Sequence, residues 1–166
     1  MTTYIHPLAD IHPDAEIGEG VRIYAGTRIG PNAKIGKGTT IGRNCEIDGI
    51  VGNYCKIQAA ALIYHGVNIG HWVFIGPRFT STNDIDPDAY TDDWSDRFRE
   101  THIGHAASIG AGVVIVCGVT IGKHAKIGAG SLVTHDIKER WLAYGSPAHH
   151  VRPLPLVANG QVKVNP

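Results

Sequence analysis

Eighteen Ile and Val residues of this 166-residue chain fall on a six-residue grid, and this spacing constrains the fold more than any other feature of the sequence. The grid positions form three runs: Ile11, Ile17, Ile23, Ile29, Ile35, Ile41 and Ile47; Val51, Ile57, Ile63, Ile69 and Ile75; and Ile103, Ile109, Ile115, Ile121, Ile127 and Val133. A helix repeats apolar residues every three or four positions and an ordinary strand every second position, so a period of six fits neither template.

Short strands separated by sharp corners do fit this period. One β-branched side chain per strand points inward and packs on a pleated surface. Glycine directly follows eleven of the eighteen grid residues, which suits corners that need positive φ or close backbone approach. With three strands per coil, the repeats predict an all-β chain that winds into a parallel β-helix of about six coils.

The grid is interrupted twice. Between Ile47 and Val51 the step is four residues, in the sequence Asp48-Gly49-Ile50, which predicts a shortened corner. Between Ile75 and Ile103 the step is 28 residues, which is four repeats plus four extra residues, and the segment at about 83–101 carries six Asp, one Glu and two Arg. This segment is expected to leave the β-helix as one long excursion loop, and long loops on regular scaffolds are usually functional.

The remaining organisation follows from position and composition. We expect a β-helix domain over residues 1–152 and a C-terminal tail over 153–166. Cys45 and Cys55 occupy small inward positions, which predicts core packing for both, whereas Cys117 lies off that column and is expected to be a structural thiol.

Composition excludes two classes of partner. The formal charge is zero, with 15 basic and 15 acidic residues, so the electrostatic footprint of a nucleic-acid-binding protein is missing. No apolar run approaches the length that spans a bilayer, and residues 1–10 contain neither a basic leader nor an apolar segment. The sequence therefore predicts a cytoplasmic protein that binds neither nucleic acid nor membrane.

From Ile11 to about Arg152 the repeats resemble those of the left-handed β-helix acyltransferases. This resemblance implies a left-handed β-helix and a homotrimer with its sites at subunit interfaces. It also implies acetyl-CoA, or another acyl-CoA, as the acyl donor, with no metal required. The repeat by itself is weak evidence for function, because several unrelated activities share it.

The sequence at the start of the excursion loop indicates which class of acceptor receives the acyl group. Phe74-Ile75-Gly76-Pro77 followed by Thr82-Asn83-Asp84 is similar to the nucleotide-linked amino-sugar N-acetyltransferases. Relatives that acetylate sugar hydroxyls typically carry His where this chain has Asn83. A hydroxyl needs a general base, whereas a neutral amine already has its lone pair, and the Asn83 amide oxygen can orient that amine. We expect Asn83 to be catalytic and Asp84 and Tyr64 to contact the substrate.

His65 is the second catalytic candidate. Ser81 continues the grid, so Asn83 and His65 each lie two positions after a grid residue and are one coil of eighteen residues apart. Adjacent coils are about 5 Å apart, which predicts that the two side chains stack. His65 is then either a base or a further donor to the substrate. If His65 is a base, it supports the alternative function, which is sugar O-acetyl transfer. The remaining alternative is that His65 is an exposed residue with no chemical role.

The last coils resemble the donor sites of coenzyme-A-dependent hexapeptide transferases, through Ile127-Gly128-Ala129-Gly130 and Tyr144-Gly145-Ser146-Pro147-Ala148. The residues that the resemblance assigns to the donor are Ala111, Ala129, Thr134, His135 and Arg152. His135 and His149 stand where the family often has Lys and Arg. Binding of the coenzyme A phosphates is therefore expected to be weaker, or to fall to Lys123, Lys126 or Arg152.

Two rival interpretations use the same fold. A γ-class carbonic-anhydrase-like zinc protein needs three imidazoles around the metal, and its family has two His five residues apart. No two of the ten His here have that spacing, although the pairs His71 and His105, or His65 and His102, are compatible with a shared site. A non-catalytic scaffold would leave the long loop unexplained. N-acetyl transfer to a nucleotide-linked amino sugar is the function that the sequence favours.

Overall fold

The protein is described by a computed structural model over residues 2–90, 93 and 95–155, and its regular elements are short strands. In chain order these are β1 (Tyr4–Ile5), β2 (Asp10–Ile11), β3 (Glu16–Ile17), β4 (Arg22–Ile23), β5 (Arg28–Ile29), β6 (Lys34–Ile35), β7 (Thr40–Ile41), β8 (Glu46–Ile47), β9 (Ile50–Val51), β10 (Lys56–Ile57), β11 (Leu62–Ile63), β12 (Val67–Ile69), β13 (Phe74–Ile75), β14 (Thr80–Ser81), β15 (Thr101–Ile103), β16 (Ser108–Ile109), β17 (Val114–Ile115), β18 (Thr120–Ile121), β19 (Lys126–Ile127), β20 (Leu132–Val133), β21 (Trp141–Gly145) and β22 (Ala148–Pro153). Within these residues no helix is long and apolar enough to cross a membrane.

The strands form three sheets, and the chain visits them in turn. Sheet 1 has nine strands in the order β1-β4-β7-β10-β13-β16-β19-β21-β22, sheet 2 has seven in the order β2-β5-β8-β11-β14-β17-β20, and sheet 3 has six, β3-β6-β9-β12-β15-β18. Neighbouring strands are parallel until the last pair, β21 and β22. The predicted parallel β-helix is confirmed, and its topology is consistent with the expected left-handed coil.

The grid residues stack directly along the core. Ile23 pairs with Ile41 and Ile41 with Ile57, and all three are buried. Cys45 and Cys55 lie in the same core at 2% and 1% exposure, as predicted. Burial raises the pKa of both thiols, so they stay protonated and unreactive at neutral pH.

The predicted number of six coils is too low. Sheet 1 has eight parallel rungs from β1 to β21, and sheet 2 has seven. The grid of Ile and Val omits Ile5 in β1, Ser81 in β14 and Ala143 in β21, each of which continues a column. Ser81 is fully buried at its grid position, and the large side chain of Phe79, two residues earlier, is also fully buried.

An antiparallel hairpin ends the described chain. Trp141 of β21 pairs with Pro153 of β22, and Leu142 pairs with Arg152. Beyond the hairpin, Leu154 is 4% exposed and its backbone N donates to the Arg140 carbonyl at 2.7 Å. Of the predicted tail over 153–166, residues 156–166 lie outside the described part of the chain.

Candidate functional site

The residues predicted to bind the acceptor or to act on it lie on one corner of the β-helix, between sheets 2 and 3. β11 is followed there by Tyr64 and His65, and β14 of the next coil is followed by Asn83. Leu62 and Thr80 are register partners, and the Tyr64 backbone N donates to Ser81 Oγ at 3.1 Å. The two segments are therefore adjacent, while the direct stacking of the His65 and Asn83 side chains stays a prediction.

The excursion loop leaves the β-helix after β14 and returns to it at β15, and its two arms pair with each other at the root. The Arg99 backbone N donates to the Asn83 carbonyl at 3.1 Å, and the Ile85 N donates to the Arg97 carbonyl at 3.2 Å. Asp84 and Phe98 form an antiparallel bridge between these bonds. Asn83 is half-buried at this root. Because Arg99 pairs with Asn83, the loop begins and ends at the candidate site.

Arg97 organises the acidic part of the loop. Its guanidinium pairs with Asp84 at 3.5 Å and with Asp88, and it donates to the Asp86 carbonyl at 3.0 Å. The Arg97 side chain is only 14% exposed. The carboxylate of Asp84, predicted to contact substrate, therefore has an internal cationic partner that holds the loop together.

Phe98 connects the returning arm to the corner. Its ring centroid lies 5.4 Å from that of His65, with the planes 30° apart. Gly66 has a φ of +85°, and a Cβ added there would lie 2.3 Å from Phe98 Cζ. The ring therefore sits directly on the His65–Gly66 backbone. Sequence reasoning missed this residue, and the only signal for it is an aromatic side chain within a strongly acidic segment.

Ala111 and Ala129, two of the predicted donor contacts, lie on a different corner, between sheets 1 and 2. Both are exposed, and the Gly130 backbone N donates to the Ala111 carbonyl at 2.8 Å. Gly112 and Gly130 have φ of +66° and +70°, and a Cβ added at either would meet no atom within 4 Å. This corner therefore presents a strip of open backbone, suited to an extended ligand.

Thr134 and His135 follow β20 on the corner between sheets 2 and 3, above the excursion loop. Thr134 Oγ1 lies 3.3 Å from His135 Nδ1. The His135 ring is 6.2 Å from the rings of His149 and His150, which the terminal hairpin brings to this end. Arg152 lies in the same hairpin strand. Sequence reasoning named His135 and His149 together but did not single out His150.

His150 is held in its neutral form. Its Nε2 accepts a hydrogen bond from the Lys138 backbone N at 2.9 Å, which requires that nitrogen to be unprotonated. Desolvation, the Lys138 charge and His135 together lower the pKa of His150.

A second group of imidazoles bears on the zinc alternative. On the corner between sheets 3 and 1 the His105 ring lies 6.0 Å from that of His71 and 6.1 Å from that of His124. His71 Nδ1 already accepts the Asn53 backbone N–H at 2.9 Å. Burial, then His124, His71 and Lys123, lower the pKa of His105. Within the described residues no three His, Cys, Asp or Glu side chains are arranged to hold a metal ion.

Comparison with known proteins identifies the repeats. A family model described as bacterial transferase hexapeptide (six repeats) matches residues 100–135, and one described as hexapeptide repeat of succinyl-transferase matches residues 32–65. The chain is 38% identical over 99 residues to galactoside O-acetyltransferase from Lactococcus lactis, covering 58% of this chain and 47% of that protein.

A shorter match of higher identity is to dTDP-3-amino-3,6-dideoxy-alpha-D-galactopyranose 3-N-acetyltransferase from Aneurinibacillus thermoaerophilus, 55% identical over 51 residues, or 31% of this chain and 27% of that protein. The chain thus spans about a quarter to a half of the length of the curated relatives it matches.

Among solved structures, the fold is similar to a histidine-to-asparagine variant of perosamine N-acetyltransferase from Caulobacter crescentus in complex with CoA and GDP-perosamine. The TM-score is 0.60 at 25% identity, over 92% of this chain and 57% of that one. By its repeats and its fold, the chain is similar to the bacterial hexapeptide-repeat transferases.

Proposed function

We propose that this protein transfers an acetyl group from acetyl-CoA to the amine of a nucleotide-linked amino sugar. The observation that carries the proposal is the return of the excursion loop onto the corner that holds His65, through the Phe98 ring. This contact places the loop against a corner that carries Asn83 and His65 on adjacent coils. The relatives that act on dTDP- and GDP-linked amino sugars support the acceptor class, and bound CoA in a similar structure supports the donor.

The chemistry needs few protein groups. The neutral amine attacks the thioester carbonyl carbon, the C–N bond forms and the C–S bond breaks, and the departing thiolate takes a proton from the new ammonium. Asn83 would accept a hydrogen bond from the amine and aim its lone pair, a positioning effect that acts on the reaction step. Asp84 and Tyr64 complete the proposed acceptor contacts.

The residues proposed to contact acetyl-CoA lie on two different corners, which supports a donor site formed by two chains. Ala111 and Ala129 lie on the corner between sheets 1 and 2, whereas Thr134 and His135 lie on the corner between sheets 2 and 3. A donor that touches both sets would lie between two neighbouring β-helices, each contributing one corner. We therefore propose a homotrimer with acetyl-CoA in three equivalent interface grooves and Arg152 among its phosphate contacts.

Sedimentation velocity at micromolar concentration tests this assembly. The expected particle contains about three chains. A monomer that still catalyses acetyl transfer would remove the interface site from the proposal.

Sugar O-acetyl transfer is the second candidate, favoured by the exposed His65 ring and by the likeness to galactoside O-acetyltransferase. The pH profile of kcat/KM for His65→Asn, compared with that of the wild type, separates the two functions. His12→Asn is the control, because His12 lies on the same type of corner near the other end of the β-helix. For an amine acceptor, the acidic limb set by the substrate ammonium persists in His65→Asn and the rate loss is modest. If His65 is the base, that limb disappears and the rate falls by about 10²- to 10⁴-fold.

A further inference from the structure

The shortened corner at Asp48 and Gly49 makes a notch in the β-helix directly below His65. Only these two residues separate β8 from β9, whereas four residues separate β5 from β6 one coil earlier. A Cβ added at Gly49 would lie 2.6 Å from the Val67 carbonyl oxygen, so the corner is drawn tightly against the next coil. The outermost part of the corner is therefore missing from this coil.

The notch opens into a cleft of about 330 Å³, which we name the corner cleft. Residues 48–50 form its floor, residues 31–32 lie on one side, and His65 and Gly66 lie on the other, beneath the Phe98 ring. Its volume falls in the range of small-molecule sites. The corner cleft is therefore continuous with the candidate catalytic corner and is formed within one chain.

The lining of the corner cleft indicates what it binds. Four carboxylates, from Asp14, Glu16, Asp48 and Glu100, face a single ammonium from Lys34, which is paired with Glu16 at 2.7 Å. Surplus negative charge disfavours a phosphate and favours a neutral or cationic ligand.

One apolar group stands out in this polar setting. The outward positions of sheet 3 on either side of Ile50 hold Lys34 and Asn68, yet Ile50 is 43% exposed on the cleft floor. The Asn68 amide, 3.5 Å from Glu100, adds a hydrogen-bonding edge. A pyranose ring has the matching character, with an apolar face and a rim of hydroxyl or amine groups.

We propose that the corner cleft binds the glycosyl ring of the acceptor over Ile50, with its amine at the His65 rim and the nucleotide diphosphate outside the cleft. This inference rests on the proposed acetyl transfer and deepens it. It assigns to one chain a sugar subsite whose charge selects an amino sugar over a sugar phosphate.

A steric variant tests the subsite. Ile50→Tyr fills the corner cleft from a partly exposed outward position, and Thr120→Tyr makes the same change at an exposed outward position of the same sheet, away from the cleft. With a nucleotide-linked amino sugar, Ile50→Tyr should raise the acceptor KM by about tenfold or more while the acetyl-CoA KM and the Tm stay close to wild type. Thr120→Tyr should leave all three unchanged. If the Ile50→Tyr protein transfers acetyl groups with the wild-type acceptor KM, the proposed subsite is wrong and the proposed function stands.

Binding to the wild-type protein gives a readout that does not need turnover. Methyl 3-amino-3,6-dideoxy-α-D-galactopyranoside, titrated against isotope-labelled protein, should shift the backbone amide signals of residues 48–50 and 65–66, and dTDP alone should not. Absence of shifts at these residues, or equal shifts with dTDP, contradicts the proposal. If the glycoside shifts these signals but no acetyl transfer occurs, the subsite stands and the proposed function fails.

Discussion

The ring of Phe98 lies 5.4 Å from the ring of His65, although 32 residues lie between them along the chain. This contact fixes the returning arm of the excursion loop against the β-helix. It links an irregular, acidic segment to the one corner where the predicted acceptor residues meet.

Phe98→Ala should loosen the loop without unfolding the β-helix, because Phe98 lies outside the core column. We expect kcat to fall by about tenfold or more, since a loosely held site misplaces the reacting groups. Hydrogen exchange at residues 97–99 should rise, while the Tm changes by only a few degrees. Tyr90→Ala is the matched control, because Tyr90 is 97% exposed on the same loop. Equal effects of the two variants would contradict a specific role for Phe98.

Asn83→Ala should lower turnover by about ten- to a thousandfold and leave CoA affinity nearly unchanged, because an orienting contact acts on the reaction step and the donor binds elsewhere. Steady-state kinetics together with calorimetric titration of CoA separate the two effects. Unchanged turnover would remove Asn83 from the site.

Arg152→Ala should weaken CoA binding by about tenfold, the loss expected for a charge-assisted phosphate contact, and leave the acceptor KM unchanged. Lys56→Ala, an exposed cation in β10 of sheet 1, serves as the control. Titration of CoA and of dephospho-CoA against each protein measures the contact. Equal CoA affinity in Arg152→Ala and wild type would exclude Arg152 from the donor site.

Stability should depend on pH through His105 and His150. Both groups have pKa values below the ordinary 6.5, so the unfolded chain binds more protons than the folded chain at mildly acidic pH. Their contribution is therefore fully present above pH 6.5 and is lost as the pH falls through the folded pKa. The Tm should drop between pH 7.5 and 5, and less steeply in His105→Gln combined with His150→Gln. An identical slope in this double variant would contradict the assignment.

The six-residue period predicted most of the fold because each coil repeats the same physical problem. A side chain such as Ile63 must fill the same inward position as Ile47 one coil earlier, and the two are register partners in the structure. The same periodicity predicted the grid position of Ser81 and the core burial of Cys45 and Cys55. It undercounted the coils because the count began at Ile11, although Ile5 lies six residues earlier, and because Ala143 of the last rung is neither Ile nor Val.

Features without a period were not predictable in this way. Phe98 contacts His65 through a loop whose path depends on Arg97 and its carboxylate partners. The clustering of His135 with His150 depends on the antiparallel return of β22. The corner cleft was signalled only as a shortened step at Gly49, and the charge and shape of its lining required the three-dimensional neighbours.

The choice between an amine and a hydroxyl acceptor is tested most directly by competition in one reaction. The protein is incubated with acetyl-CoA and equal amounts of a dTDP-linked 3-amino sugar and its 3-hydroxy counterpart, and mass spectrometry identifies the acetylated product. The account predicts that the amino sugar alone gains an acetyl group, as an amide stable to mild base, with one CoA released per product. Acetylation of the hydroxy sugar, or no acetyl transfer to either, would contradict it.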